Sequence, residues 1–502
     1  VLFIQKTRSN MIADSGVLLN SFLNQRFLTM EKRFQTKNPA YFWGNIHNAM
    51  KKSIRIAGGQ GFWGDLPRAP IDQVRRGPID YLVMDYLAEV TMSIMQKQKL
   101  KNPDLGYARD FVGVIAEILP DIKEKGIKVV SNAGGVNPMA CKDEILAIAA
   151  KKGIAVKVAV IDGDNVLPEI DRLVSEGHLL KNMEDGRPVT EIKDRLLSAN
   201  VYFGAAPIVE ALKSGADIVV SGRLTDTGLT LAPMMFEFGW SPEDYDKVAA
   251  GTIAGHIIEC GAQCAGGNFT DWENVPDLHD PGFPIIEAFP DGTFVVTKHE
   301  GTGGLVSDMT VKEQLLYEIG DPSAYITPDG VADFTSIHLH QEAENRVFVH
   351  GIKGKPETPF FKVSAAYADG FKLTTTLTYG WPDAIKKAKA ASQILEKRAQ
   401  ALGLSIDRFR FEFAGANALS ENPEVESALK NTDEVILRVS AFGRDEAALN
   451  RFGMEIAPLV LTGPSTVTGF AGGRPKASEV VAYWPALLLK TAVKPRVSLF
   501  GS

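Results

Sequence analysis

From Ile54 to about Val220, short and nearly uninterrupted apolar runs alternate with longer segments of helical period. The apolar runs are SIRIAGG, DYLVMDY, IKVVSNAGG, IAVKVAVIDGD, ANVYFGA and ADIVVSGRLTD. Between them lie DFVGVIAEILPDIKEKG, CKDEILAIAAKKG and APIVEALKSG, each closing on a glycine that suits a helix C-terminus. Strands without polar alternation are buried on both faces, and strands separated by helices pair in parallel. The pattern predicts an α/β domain over residues 46–280: a parallel sheet with helices on both faces.

Beyond about Pro281 the period changes. TFVVTKH, TSIHLHQ, RVFVHGIKG, FKLTTTLTYG, RFRFEFAG and EVILRVSAFG alternate as strands do, interrupted by the helical stretches PDAIKKAKAASQILEKRAQALG and DEAALNRFGMEIAPLVL. This predicts an α+β domain over 281–502, with the boundary in the turn-rich NVPDLHDPGFP. The first 45 residues fit neither texture. Lys6, Arg8, Arg26, Lys32, Arg33 and Lys37 stand there against Asp14 and Glu31, which reads as a poorly packed leader or extended start, with a transit peptide as the alternative.

A chain of 502 residues exceeds one ordinary core, in keeping with more than one domain. Its net charge of −7 provides no dense basic face, so a nucleic-acid partner is not expected. No apolar run approaches the roughly 20 residues that cross a bilayer, so no membrane association is expected either. Cys141, Cys260 and Cys264 are too few for a disulfide framework and lack zinc-site spacing, which places the chain in a reducing, cytoplasmic compartment.

In open parallel sheets ligands bind beyond the carboxyl ends of the strands. Those ends carry Gly59 and Gly61, then Asp85, then Asn132, Gly134 and Gly135, then Asp162 and Asp164, then Arg223 with Asp226. Each has a plain structural use, in turns or as a helix cap. Gly59, Gly61 and Gly64 have the spacing of a dinucleotide-binding turn, and Asp85 lies near the distance of its ribose-binding acid. Pro67 and Pro70 nevertheless stop a helix from opening at that turn, which weighs against a nucleotide-dependent oxidoreductase. SNAGGVNP, leading towards a helix, is the better phosphate cradle, or an ordinary turn. Asp162 and Asp164 offer hard oxygen ligands to a metal, but IDGDN also makes a turn, and no metal site is assigned. His299 beside Glu300 suits acid/base work. Arg223 and Asp226, three residues apart, can face one way on a helix opening at TGLTLAP and clamp a carboxylate or phosphate.

Together GGQGFWGD, SNAGGVNP, SGRLTDTGLTLAP, GAQCAGGNFTDW, HEGTGGLVS, TVKEQLLYEIGDP and GGRPKASEVVAYWPAL resemble the acyclic terpene utilisation family typified by AtuA, in order from about Ser53 to Leu499. The resemblance implies a part in the breakdown of acyclic monoterpenoids such as citronellol and geraniol, whose skeletons are processed as branched CoA thioesters. It assigns no residue a role. Joined to the strand ends, it implies a lyase- or hydratase-type enzyme for a branched acyl-CoA or related carboxylate, the CoA moiety arriving with the substrate. Asp85, Asp226 and His299 are then the catalytic candidates; Gly59, Gly61, Asn132, Gly134, Gly135 and Arg223 are the binding candidates. A homo-oligomer or a complex with pathway enzymes is expected, and a non-catalytic binding partner for a CoA enzyme is the alternative.

Overall fold

The computed structural model describes residues 52–87, 91–416, 418, 432–469 and 472–501, so the expected leader over 1–45 lies outside the described residues. The six apolar runs become strands β1 (Ile54–Gln60), β2 (Tyr81–Met84), β3 (Lys128–Ser131), β4 (Lys157–Asp162), β5 (Leu196–Val201) and β6 (Ile218–Ser221). Five of them pair in parallel, in the order β1-β2-β3-β6-β4.

Successive residues of these strands point to opposite faces, and both faces are covered. Leu82, Val129 and Ile218 pack beneath helices α1 (Ala69–Arg76), α3 (Arg109–Lys125) and α4 (Pro138–Lys152). A short α2 (Thr91–Lys101) precedes α3. Val83, Val130 and Val219 face the other way, into a core shared with α5 (Ile170–Ser175), α6 (Ala206–Lys213), α7 (Gly228–Phe238) and α8 (Tyr245–Ile258). The glycine stops read from the sequence are real: Gly126 and Gly153 close α3 and α4 at φ 68° and 66°.

The sheet continues through the expected boundary at 280/281. Strands β7 (Ile285–Ala288) and β8 (Phe294–Thr297) add antiparallel beside β1, because β7 pairs with it from Ile54↔Ala288 to Ala57↔Ile285. Beyond α9 (Asp308–Leu316), β9 (Tyr325–Ile326) and β10 (Val331–Asp333) start a small sheet. Next, β11 (His338–Ala343) and β12 (Arg346–His350) extend the large one, and β13 (Lys353–Lys355) completes the small one. Residues on either side of 280 therefore share one large mixed sheet.

The second sheet centres on β14 (Phe360–Gly380), a strand of 21 residues. Beyond α10 (Ala384–Ala401), it is joined by β15 (Arg408–Ala414), β16 (Glu434–Gly443), β17 (Val467–Thr468) and β18 (Ser478–Leu489). Leu373, Leu377 and Leu437 close a core against Leu395 of α10 and Phe452 of the helix Glu446–Gly453. The last strand, β19 (Arg496–Gly501), returns to the large sheet beside β4.

β5 departs from the sequence pattern. It leaves the parallel sheet and pairs antiparallel with β14, Val201 opposite Val363. An apolar run reads alike in either sheet; here β14 supplies the partner edge. The next residues still touch the parallel layer, through a bridge between Phe203 and Leu224.

Candidate functional site

β2, β3 and β6 are adjacent, so the residues that follow them meet at one edge. Asn132 donates from Nδ2 to Asp85 Oδ1 at 2.7 Å, and the Leu87 amide donates to the same oxygen at 3.0 Å. The Asn132 carbonyl oxygen in turn accepts from the Tyr86 amide at 2.8 Å. Both ends of the Asn132 amide are thus committed, and Asp85 Oδ2 is the oxygen left to carry a proton. Burial, and then the Asp226 charge, hold the Asp85 carboxyl well above the usual carboxylate range, against the opposing pull of Arg223.

Arg223 donates from Nη1 to Asp226 Oδ1 at 2.7 Å. Its guanidinium lies 4.1 Å from the centre of the Tyr202 ring, and its main-chain amide donates to Asp164 Oδ2 at 2.9 Å. α7 opens at Gly228, after both residues, so a turn rather than a helix face makes the pair. That turn is held by the chain after β5, the Thr225 amide donating to the Phe203 carbonyl at 2.8 Å. The guanidinium is buried and Asp226 partly exposed, so the carboxylate is the member that reaches solvent. Among the described residues, Arg223 Nε has no hydrogen-bond partner.

A second wall comes from the end of α8. His256 Nδ1 lies 2.9 Å from Glu259 Oε1, three residues on. His256 Nε2 lies 3.1 Å from the Gln314 carbonyl of α9, while Gln314 Nε2 donates back to the His256 carbonyl at 2.9 Å. Burial opposes charge on His256, but the Glu259 carboxylate more than offsets it and raises the imidazole pKa. Burial also raises the Glu259 carboxyl, which feels His256, Asp226 and Glu318. Cys260 follows directly. Burial and then the Glu259 charge push its thiol up to about 12, so at neutral pH it is a thiol, not a thiolate nucleophile.

The glycine candidates have packing duties. A Cβ on Gly59 would meet Leu82 and Met84, and one on Gly61 would stand 2.6 Å from the Gly261 nitrogen. The Gly61 amide already donates to Asp65, and α1 opens only at Ala69, with Pro70 in its first turn. Gly134 is closed in by Pro138 and the Ser221 carbonyl, and Gly135 by Met95. In SNAGGVNP the amides of Ala133, Gly135, Val136 and Asn137 donate to Ser131 Oγ and to the carbonyls of Asn132, Gly106 and Gly134. Four donors expected for an anion are therefore spent on the protein, three inside the turn and that of Val136 on Gly106.

His299 stands apart from the Asp85 cluster. Its Nε2 donates to the Gln73 carbonyl of α1 at 2.9 Å, and it borders a cavity of about 700 Å³ with Arg55, Arg76, Lys298 and Arg346. Burial, with the charges of Arg55, Arg76 and Lys125, lowers its pKa. Asp162 is paired with Arg496, and Asp164 accepts from Asn200 and the Arg223 amide, so the two carboxylates serve different partners. Among the described residues, no group of three or more His, Cys, Asp or Glu is placed to hold a metal, and no helix is long and apolar enough to cross a membrane.

Sequence reasoning placed Asp85, Asn132, Arg223 and Asp226 at one edge, and the structure brings these four together. It passed over Glu259 and Gln314. The available signal was the three-residue spacing of His256 and Glu259 at the end of an apolar helix; for Gln314, 58 residues beyond His256, no local pattern exists.

A protein-family model described as "Acyclic terpene utilisation family protein AtuA" matches residues 54–499. No curated protein and no solved structure matches the chain.

Proposed function

The chain belongs to the acyclic terpene utilisation family, which gives it a role in terpene catabolism; within that role we propose that it is an enzyme moving a proton beside the carbonyl of a branched acyl-CoA or related carboxylate, by lyase- or hydratase-type chemistry. The observation that carries this reading is the pairing of two unlike carboxyl groups at one strand edge. Asp85 is held as the acid, and Asp226 is held beside a buried guanidinium. A carboxyl held in its acid form near a second carboxyl anchored by a guanidinium suits acid/base catalysis.

In this scheme the Asp226 carboxylate removes a proton from the carbon next to the carbonyl. Arg223 keeps that carboxylate in place and offers Nε to the negative charge developing on the carbonyl oxygen. Asp85 delivers its proton from Oδ2 to the departing group, with Asn132 fixing the orientation. His299, on its own cavity beside α1, takes no part in these steps.

The test is turnover of a panel of branched enoyl- and hydroxyacyl-CoA thioesters by purified protein. Asp85→Asn keeps the hydrogen bonds at Oδ1 but has no acidic proton, so kcat should fall by about 10²–10⁴ with KM nearly unchanged. Wild-type turnover should fade as pH rises through the elevated Asp85 pKa, because the acid form is then lost. Binding of these thioesters without any turnover would favour the non-catalytic partner instead.

A further inference from the structure

The cavity of about 700 Å³ beside His299 is walled by cations from four separate elements. Arg55 comes from β1, Arg76 from the last turn of α1, Lys298 from the loop after β8 and Arg346 from β12. That loop contains HEGTGG, His299–Gly304, a motif in which the Asp85 cluster has no share. It is locked in place. Lys298 Nζ donates to the Thr302 carbonyl at 2.9 Å and to Thr302 Oγ1 at 3.1 Å, and Thr302 Oγ1 donates to the His299 carbonyl at 2.7 Å.

The carboxylates behind this wall do not neutralise it. Arg55 and Arg346 share one carboxylate oxygen, Glu287 Oε2, at 3.7 and 3.1 Å; Glu342, 3.9 Å from Arg346, is exposed. Among the described residues Lys298 makes no ion pair, its hydrogen bonds going to Thr302 alone. Burial strips its ammonium of water, and the charge of Glu344, exposed at the rim, compensates only in part. Arg55, Arg76 and Lys125 each oppose a proton on His299, so the field at the imidazole is positive. The last-turn carbonyls of α1, whose partial charge would repel an anion, are covered: Gln73 by His299 Nε2 and Val74 by Lys125 Nζ at 2.7 Å.

Donors remain open on three of the cations. Among the described residues Arg76 hydrogen-bonds only through Nη2, to Asp280, and Arg346 only through Nη1, while Lys298 keeps a third N–H. We propose that this cavity binds the phosphate group of an organic phosphate ester, held by Arg76, Lys298 and Arg346. Guanidinium and ammonium donors arriving from separate elements match an oxyanion with several acceptor oxygens, whereas a planar carboxylate pairs best with the edge of one guanidinium. The volume far exceeds that of a bare phosphate and leaves room for the organic remainder. No residue of the Asp85 cluster takes part, so failure of this site leaves the acyl-substrate reading as it stands.

The test is calorimetric titration of the purified full chain at low ionic strength, where screening is least, with inorganic phosphate, glycerol 3-phosphate, coenzyme A and, as carboxylate control, acetate. Inorganic phosphate should bind at one site per chain, at least tenfold tighter than acetate, and one of the esters should bind tighter still. Lys298→Met and, independently, Arg346→Gln should each weaken binding of phosphate and of that ester about tenfold, the loss of one charge-assisted hydrogen bond; circular dichroism checks that each is folded. Glycerol 3-phosphate ahead of coenzyme A assigns the site to a small free phosphate ester, and coenzyme A ahead assigns it to the phosphates of a thioester handle. Absence of phosphate binding, equal affinity for acetate, no gain from either ester, or undiminished affinity in a folded variant overturns the proposal.

Discussion

Arg223 is 1% exposed while its ion-pair partner Asp226, 2.7 Å away, is 36% exposed. The cation is part of the core and the anion reaches the surface. A free clamp, as the sequence suggests, would have the exposure reversed. Packing on Tyr202 holds the guanidinium inward, and the hydrogen bond from the Arg223 main-chain amide to Asp164 anchors its backbone.

Arg223→Ala should therefore disturb fold and function together. The variant leaves Asp226 without its cation and Tyr202 without the stacked guanidinium. The expected loss is about 1–3 kcal/mol, below the figure for a fully buried pair because water reaches Asp226. A lower urea midpoint and at least a tenfold fall in turnover check this. An unchanged midpoint would show that the pair adds nothing to stability.

Asp164 makes stability depend on pH. Burial, only partly offset by the Arg223 amide and Asn200, raises its carboxyl to about 6 from an ordinary 3.8. A carboxyl whose pKa is raised on folding favours the folded state when protonated. That contribution is complete below about pH 4 and disappears as pH climbs through about 6. Relative to Asp164→Asn, which stays neutral throughout, wild-type protein should lose roughly 2–3 kcal/mol over this interval and then hold level. Urea midpoints of both proteins between pH 4 and 8 give the comparison; parallel curves would rule the effect out.

Cys260 should be a poor nucleophile. With its thiol pushed up to about 12, alkylation by iodoacetamide at pH 7.5 should run at least tenfold slower than for a free thiol peptide. Cys260→Ser should keep turnover within about twofold. Fast stoichiometric alkylation coupled to complete inactivation would place the cysteine in the chemistry.

The parallel layer was legible because each of its strands is buried on both faces and says so in Leu82-Val83, Val129-Val130 and Ile218-Val219. The edge that carries Asp85 and Arg223 follows from strand direction alone. Two things were not local. The partner of β5 lies far along the chain in β14, Val363 opposite Val201, and an apolar hexamer holds no record of which sheet will receive it. The glycines of GGQG and SNAGG looked like anion cradles because backbone that packs closely against protein and backbone that packs closely against phosphate call for the same residue.

β5 has a consequence for how such a protein can change over time. Asn200, on a strand of the second sheet, donates to the Asp164 that holds the Arg223 amide, and Tyr202 just beyond it stacks on the same arginine. Neither sheet can be traded for another by recombination. A chain that lost the second would leave β5 an unpaired edge, open to stray pairing, and would strip the cleft of its backing. The two layers back one another, and substitutions along β14 are constrained by the arginine that Tyr202 covers, because Lys362 of β14 holds Tyr202 from behind.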